Sequence, residues 1–403
     1  MELLITGIGQ LITPQVQGPE LVVLEDCYIR INEGRIAALG PLEEAPPLRG
    51  RKVLDVEGGV VLPGLVDPHT HAVFAGTREE EFLRRCRGER YTSGGIRATV
   101  AAVRAASEEE LYRNGRHFLL EMLRSGTTTV EVKSGYGLDL ENELKLLRVI
   151  KRLNEDLPLD LVPTFLGAHA LPEGKGSSEY LEEVLAMIPK VKSAGLAEFC
   201  DVFCEPGFFS VEESRKILSA CRAAGLKLKL HADEFQNSGG AELAAELGAV
   251  SADHLLKVSD EGIARLREAG VIPVLLPGTP FTLNAEYAPA RKMLAAGLPV
   301  ALATDFNPGT CLINSMLFII ALTVMKMGMT VEEALIAATR NAARALALED
   351  RGVIAPGKLA DLVVLDLKSY RQISYFLGHD LVKYVLKRGE VVYARAHPGL
   401  CQD

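Results

Sequence analysis

The sequence predicts an α/β fold: a (β/α)8 TIM-type barrel with a small β-sandwich domain formed by the N- and C-terminal segments. Three observations lead there. Through the middle of the chain, short apolar runs alternate with helical segments eight times over roughly 290 residues, as a (β/α) barrel requires. Most of those runs end on a polar residue fit for chemistry, and such barrels keep their catalytic groups at the C-terminal strand ends. Both ends of the chain read as short strands and turns, unlike the middle. The expected division is residues 1–60 with 350–403 in the small composite β domain and 61–349 in the catalytic barrel.

In chain order, Leu21-Val22-Val23-Leu24 and Tyr28-Ile29-Arg30-Ile31 are strand-like, and Asn32-Glu33-Gly34-Arg35 is a turn before Ile36-Ala37-Ala38-Leu39. Barrel strands are predicted at 60–66, 127–132, 161–166, 199–204, 226–230, 250–253, 271–276 and 300–304. Between them, 141–153, 178–192, 211–224 and 260–269 carry helical periodicity in Ala, Leu, Glu, Lys and Arg. An open doubly wound sheet fits less well, because no Gly-rich phosphate loop follows the first strand. Near the C-terminus, 362–366 and 382–386 return to strand patterning around the turn Lys387-Arg388-Gly389-Glu390.

Alternation along each strand assigns its faces. Lys227, Lys229 and His231 should face the barrel axis while Leu228 and Leu230 face the helices; Phe165, Gly167 and His169 should share one side, as should Ala301, Ala303 and Asp305.

Bulk properties narrow the function classes. The formal charge of −9 argues against nucleic acid or an anionic membrane as partner, and a hydrophobic share of 48% supports an ordinary soluble core. No basic leader with a cleavage pattern opens the chain, and the most apolar stretch, 316–325, is too short to cross a bilayer. Seven scattered cysteines read as reduced thiols, which favours the cytoplasm.

His69-Thr70-His71 ends the run Val60-Val61-Leu62-Pro63-Gly64-Leu65-Val66-Asp67-Pro68. Residues two apart on a strand point the same way, so both imidazoles leave together and form half of a metal site. His231, His254 and Asp305 stand at the ends of three further strands, which makes a catalytic metal centre the leading expectation. His117, His379 and His397 lie on a helix or in the end domain and read as surface or packing residues.

These segments resemble the amidohydrolase superfamily over nearly the whole chain. The likeness rests on Leu62-Pro63-Gly64-Leu65-Val66-Asp67-Pro68-His69-Thr70-His71 and on Gly352-Val353-Ile354-Ala355-Pro356-Gly357-Lys358-Leu359-Ala360-Asp361-Leu362-Val363. Phe74-Ala75-Gly76-Thr77-Arg78, Lys133-Ser134-Gly135-Tyr136-Gly137-Leu138, His231-Ala232-Asp233-Glu234-Phe235 and Asp305-Phe306-Asn307-Pro308-Gly309-Thr310 narrow it to members that open an imidazolone ring in histidine degradation. The resemblance implies His69, His71, His231 and Asp305 as ligands of one divalent metal ion, zinc or iron. Three nitrogens and one oxygen leave room for a water. Many relatives bridge two metals with a carbamylated lysine on strand 4, but Glu205 stands there and Lys133 is on strand 2, so a single ion is expected.

By the same likeness, Glu234 moves the proton, with His254 and Asp305 as further candidates for proton handling, and Arg78 takes a substrate carboxylate. Tyr91, Tyr136, His169, Asn307, Gly309 and Thr310 are the remaining implied substrate contacts, and a homodimer is the implied assembly. Two rivals differ in class. A purine or pyrimidine deaminase on this scaffold would use the same metal and bases but would have no need of Arg78. A non-catalytic assembly protein would have lost metal ligands, and all four are present.

Overall fold

The computed structural model describes residues 2–47, 52–88 and 95–395. Four strands come first: β1 (Glu2–Pro14), β2 (Leu21–Asn32), β3 (Arg35–Pro41) and β4 (Lys52–Pro63). β1 pairs antiparallel with β2 and parallel with β4. The run expected as one strand over 60–66 divides at Gly64. Up to Pro63 it belongs to this first sheet, and β5 (Leu65–Asp67) opens the barrel. Gly64 is required at the crossing, since a Cβ there would lie 2.2 Å from Thr128 Oγ1.

The barrel continues with β6 (Thr127–Lys133), β7 (Asp160–Ala168), β8 (Phe199–Cys204), β9 (Lys227–Leu228), β10 (His231–Ala232), β11 (Ser251–His254), β12 (Ile272–Leu275) and β13 (Ala301–Leu302). All pairings are parallel, and β9 and β10 are two segments of one strand position. Closure falls between the last and first strands. Asp305 N donates to His69 O at 3.1 Å and His71 N to Phe306 O at 2.8 Å. Thr304 donates to the buried Asp67 carboxylate from both its amide and its hydroxyl.

Helices start where short polar side chains satisfy the first free N–H groups. Asp139 caps Leu140–Asp156, Ser210 caps Val211–Ala223 and Ser259 caps Asp260–Ala269. The helix Met316–Met327, the apolar stretch noted in the sequence, is mostly buried in the core. No helix among the described residues is long and apolar enough to cross a membrane.

After the barrel the chain returns to the first sheet as β14 (Leu362–Leu365), β15 (Val382–Lys387) and β16 (Glu390–Ala394). The seven strands form one hydrogen-bonded sheet in the order β16-β15-β14-β4-β1-β2-β3. Its ends come close, with Gly34 against Arg388 and Gly389 against Ile31, so the sheet closes over a core of Ile5, Ile29, Val61, Leu362 and Leu386.

Parity fails where the backbone leaves the regular strand, in β7 and at His254. Ala301 and Ala303 do face the axis, packed with Val66, Val162, Phe199 and Val274 in a dry lower layer. Phe165 and Gly167 share a side, but it is the helix side: Phe165 joins the outer core and Gly167 touches its ring. An irregularity between Phe165 and Ala168 breaks the alternation, and His169 reaches the pocket only beyond it. Lys227 and Lys229 share the inward face as expected, both over the ring of Phe199, with Lys227 exposed at the barrel's lower mouth and Lys229 fully buried.

An ionic clamp joins sheet and barrel. Asp160, at the start of β7, receives Arg351, Lys387 (2.9 Å) and Arg388 (2.9 Å). Burial alone would raise the Asp160 pKa, but Lys387 and then Arg351 outweigh it and pull it down to about 2. A depressed folded-state value contributes stability above the unfolded value of 3.8 that is lost as pH falls through about 2. Asp160→Asn should therefore cost about 2 kcal/mol at pH 7, roughly 2 °C in a thermal melt. The gap to the parent should close as the buffer is taken toward pH 2; a gap independent of pH would refute the clamp.

Candidate metal centre and pocket

The barrel interior is layered. Above the dry floor, Glu131, Lys133, Asp201, Lys229 and Asp253 are all fully buried. Lys133 Nζ lies 2.8 Å from both Glu131 Oε1 and Asp201 Oδ2, and Lys229 Nζ lies 3.0 Å from Glu131 Oε2. Lys229 also donates to Pro68 O at 2.8 Å, just before the His-x-His segment. Burial disfavours charge on Lys133, but Asp201, Glu131 and Asp253 overcome that and hold it protonated. Lys133 therefore lies beneath the pocket, committed to carboxylates.

The histidines stand on this layer. Asp253 Oδ2 meets His69 Nδ1 at 2.6 Å, which turns the buried, unpartnered Nε2 toward the centre. Asp201 Oδ2 lies 2.9 Å from His231 Nδ1 and Oδ1 accepts the His231 backbone N–H at 3.1 Å. Donor atoms of His69, His71 and His231 lie within 4.8 Å of one another, as do those of His69, His254 and Asp305. Asp305 Oδ1 is 3.5 Å from His69 Nε2 and 3.8 Å from His71 Nε2, and Thr279 donates to Oδ2 at 2.5 Å. Burial first, then neighbouring cations, pushes His69, His71 and His254 well below the ordinary imidazole pKa, leaving the neutral form that ligates metals. Burial raises Asp305 to about 6. Buried nitrogens without partners, clustered around a carboxylate, are what a bound divalent cation would satisfy.

Above them is a cleft of about 500 Å³ with its open mouth included, lined by His71, His231, His254 and Asp305 at its base. Glu234 and His254 face each other across it at 3.6 Å. His254 enters the cavity although the preceding Asp253 also points inward, because its φ of +77° breaks the strand alternation. Burial, then Asp305 and Glu205, raises the Glu234 pKa well above the usual carboxylate range. Glu205 Oε1 accepts the Phe235 N–H at 3.0 Å, so the carboxylate at strand 4 fixes the loop that carries Glu234.

Arg78 lines the opposite side, its Nε and Nη2 donating to Glu81 at 2.8 Å each. Gly309 lets it approach: a Cβ there would lie 2.1 Å from Arg78 Nη1. Asn307 and Thr310 also line the cavity, and Asn307 Oδ1 accepts the Gly309 and Thr310 amides, shaping this loop. Tyr136 and His169 form a side wall, with His169 stacked on His71 at 4.8 Å. Tyr91 lies outside the described residues, as does His397. His117 and His379 are away from the cavity, and the described cysteines are free thiols.

Sequence reasoning missed Asp201, Asp253 and Glu131 beneath the histidines, and the aromatic wall of Phe203, Phe208 and Phe235. A signal existed for the acids: each is a charge inside a strand run that is otherwise apolar or small. No comparable signal marks the aromatics, which look like core.

Residues 60–392 match the model of the amidohydrolase family. Among curated relatives, imidazolonepropionase of Porphyromonas gingivalis is 47% identical, with 98% of each chain covered. That of Geobacillus kaustophilus is 48% identical over 96% of each, and that of Haloarcula marismortui 48% over 98% of this chain and 97% of its own. Among solved structures, guanine deaminase from C. acetobutylicum superposes with a TM-score of 0.74 at 16% identity, covering 98% of this chain and 100% of its own. A triazine hydrolase variant gives 0.77 at 19%, covering 98% and 95%. At these identities the solved structures share the fold alone.

Proposed function

The chain belongs to the amidohydrolase family, and from its near full-length likeness to imidazolonepropionases we propose that it adds water across the cyclic amide C–N bond of 4-imidazolone-5-propanoate, giving N-formimidoyl-L-glutamate. One observation carries the reading: buried imidazoles and a carboxylate from four separate strand ends converge under a pocket that also holds an arginine.

In this proposal His69, His71, His231 and Asp305 hold one divalent ion, and the donor set suits both zinc and ferrous iron. When bound, such an ion lowers the pKa of water from 15.7 to about 7, on the order of 12 kcal/mol toward a nucleophile at neutral pH. Glu234 accepts the proton of the attacking water and returns it to the ring nitrogen that leaves; its raised pKa suits both steps. His254, within reach of Glu234, polarises the carbonyl as charge develops on its oxygen. Arg78 pairs with the propanoate arm, sharing its guanidinium with Glu81, and so fixes the carbonyl over the base of the pocket. Tyr91, Tyr136, His169, Asn307, Gly309 and Thr310 complete the contacts to ring and carboxylate. A cytoplasmic homodimer without nucleic-acid or membrane partners completes the proposal, supported by the charge of −9 and by family precedent.

The test follows absorbance of the imidazolone in metal-replete protein and in Arg78→Ala. Loss of one charge-assisted bidentate contact, about 1.5–3 kcal/mol per hydrogen bond, should lower kcat/KM by about 100-fold or more with metal content unchanged. Parent protein that consumes substrate no faster than buffer removes the assignment, and release of ammonia from nucleobases would favour a deaminase.

A further inference from the structure

We propose that Glu143, a buried carboxylate outside the pocket, is the positioning residue for the pocket wall formed by Tyr136 and His169. This rests on the reading above that those two side chains contact the imidazolone. The loop 134–139 joins β6 to the helix Leu140–Asp156 and carries Tyr136 at its centre. Its backbone turns through left-handed conformations at Gly135 (φ +100°) and Leu138 (φ +54°), which swing several N–H groups toward one point.

Glu143, fully buried on the second turn of the helix, occupies that point. Its Oε1 accepts from Gly135 (3.2 Å), Gly137 (2.8 Å) and Leu138 (3.0 Å), and its Oε2 from Gly135 (3.0 Å). The helix does not need Glu143 to begin, because Asp139 already accepts the Asn142 N–H at 2.8 Å. Chain and carboxylate fit closely: a Cβ on Gly137 would lie 2.5 Å from the Glu143 backbone nitrogen.

The loop's shape fixes two pocket groups at once. Tyr136 sits between the clamped Gly135 and Gly137. The Gly135 carbonyl accepts a hydrogen bond from His169 Nδ1–H at 2.9 Å, which sets that ring's tautomer and angle. The two rings stand 5.3 Å apart, and each lies within 5.6 Å of His71. From the other side, Arg104 donates to Gly137 O at 2.8 Å and offers a second, milder handle on the loop.

The experiment compares the full-length, metal-loaded parent with Glu143→Gln and Arg104→Ala by amide hydrogen exchange and by steady-state kinetics on 4-imidazolone-5-propanoate. In Glu143→Gln, amides of 134–139 should exchange at least about tenfold faster while β6 and β7 stay protected. KM should rise about tenfold or more, with kcat within about threefold and metal per chain unchanged, the signature of lost binding rather than lost chemistry. Arg104→Ala should move KM and exchange the same way by about threefold. Unchanged exchange in either variant overturns the proposal, as does faster exchange with unchanged KM, or a parallel fall of kcat and metal content. If Glu143→Gln does not fold, Arg104→Ala decides alone. Parent protein inactive on the imidazolone would overturn the functional reading instead, and the exchange comparison would still decide on Glu143.

Discussion

His231→Ala is expected to purify without metal and to turn over substrate no faster than buffer. Its ring is one of three imidazoles whose donor atoms lie within 4.8 Å, and its orientation is set by Asp201 through both backbone and side chain. Removing the ring leaves a buried site with too few donors for a divalent cation and no activated water. A graded partner sharpens the test. Asp253→Asn keeps every donor atom but weakens the carboxylate behind His69, so metal affinity should fall by about 10–100-fold with the protein still folded. Metal per chain, affinity by chelator competition, and kcat are the measurements. Full metal occupancy and turnover in His231→Ala would falsify the ligand set.

Glu234→Gln should lower kcat by about 10²–10⁴-fold while leaving KM and metal content within a few-fold. Glutamine preserves shape and burial but cannot carry a proton. The geometry favours a role in chemistry over one in folding. Glu234 is buried at the pocket base, faces His254, and sits on a loop held by others. Glu205 takes the Phe235 N–H, and Asp233 accepts amides from Ser238, Gly240 and Ala241. Removing the Glu234 charge therefore leaves the loop's anchors intact, and thermal stability should barely change. A variant that keeps its turnover would pass the proton role to His254 or Asp305. The contrast with Arg78→Ala is diagnostic, because Arg78 is expected to act on binding and orientation and Glu234 on the chemical step.

Much of this architecture was legible in the residues. The strands at 127–132, 199–204 and 250–253 and the helix over 260–269 emerge close to where periodicity set them, because apolar alternation and capping residues are local signals. His69 and His71 leave one strand end together, as a two-residue period requires. Legibility failed where the backbone departed from that period. The irregularity after Phe165 put His169 on the opposite side from Phe165 and Gly167, and the left-handed turn at His254 let two consecutive residues enter the barrel. The division at Gly64 was hidden because both halves of the run are equally apolar.

By itself the sequence determined the eightfold alternation, the closing of both termini into one small sheet, and the residue types able to hold a cation. Those follow from hydrophobic period and side-chain chemistry, which each residue carries wherever it lies. Only the tertiary structure decided which charges meet. Asp253 stands behind His69 across 184 positions of sequence, Asp201 stands behind His231, and two lysines neutralise the acids beneath them. Such pairings depend on barrel closure and strand register, and no local pattern records the distance between residues that far apart along the chain.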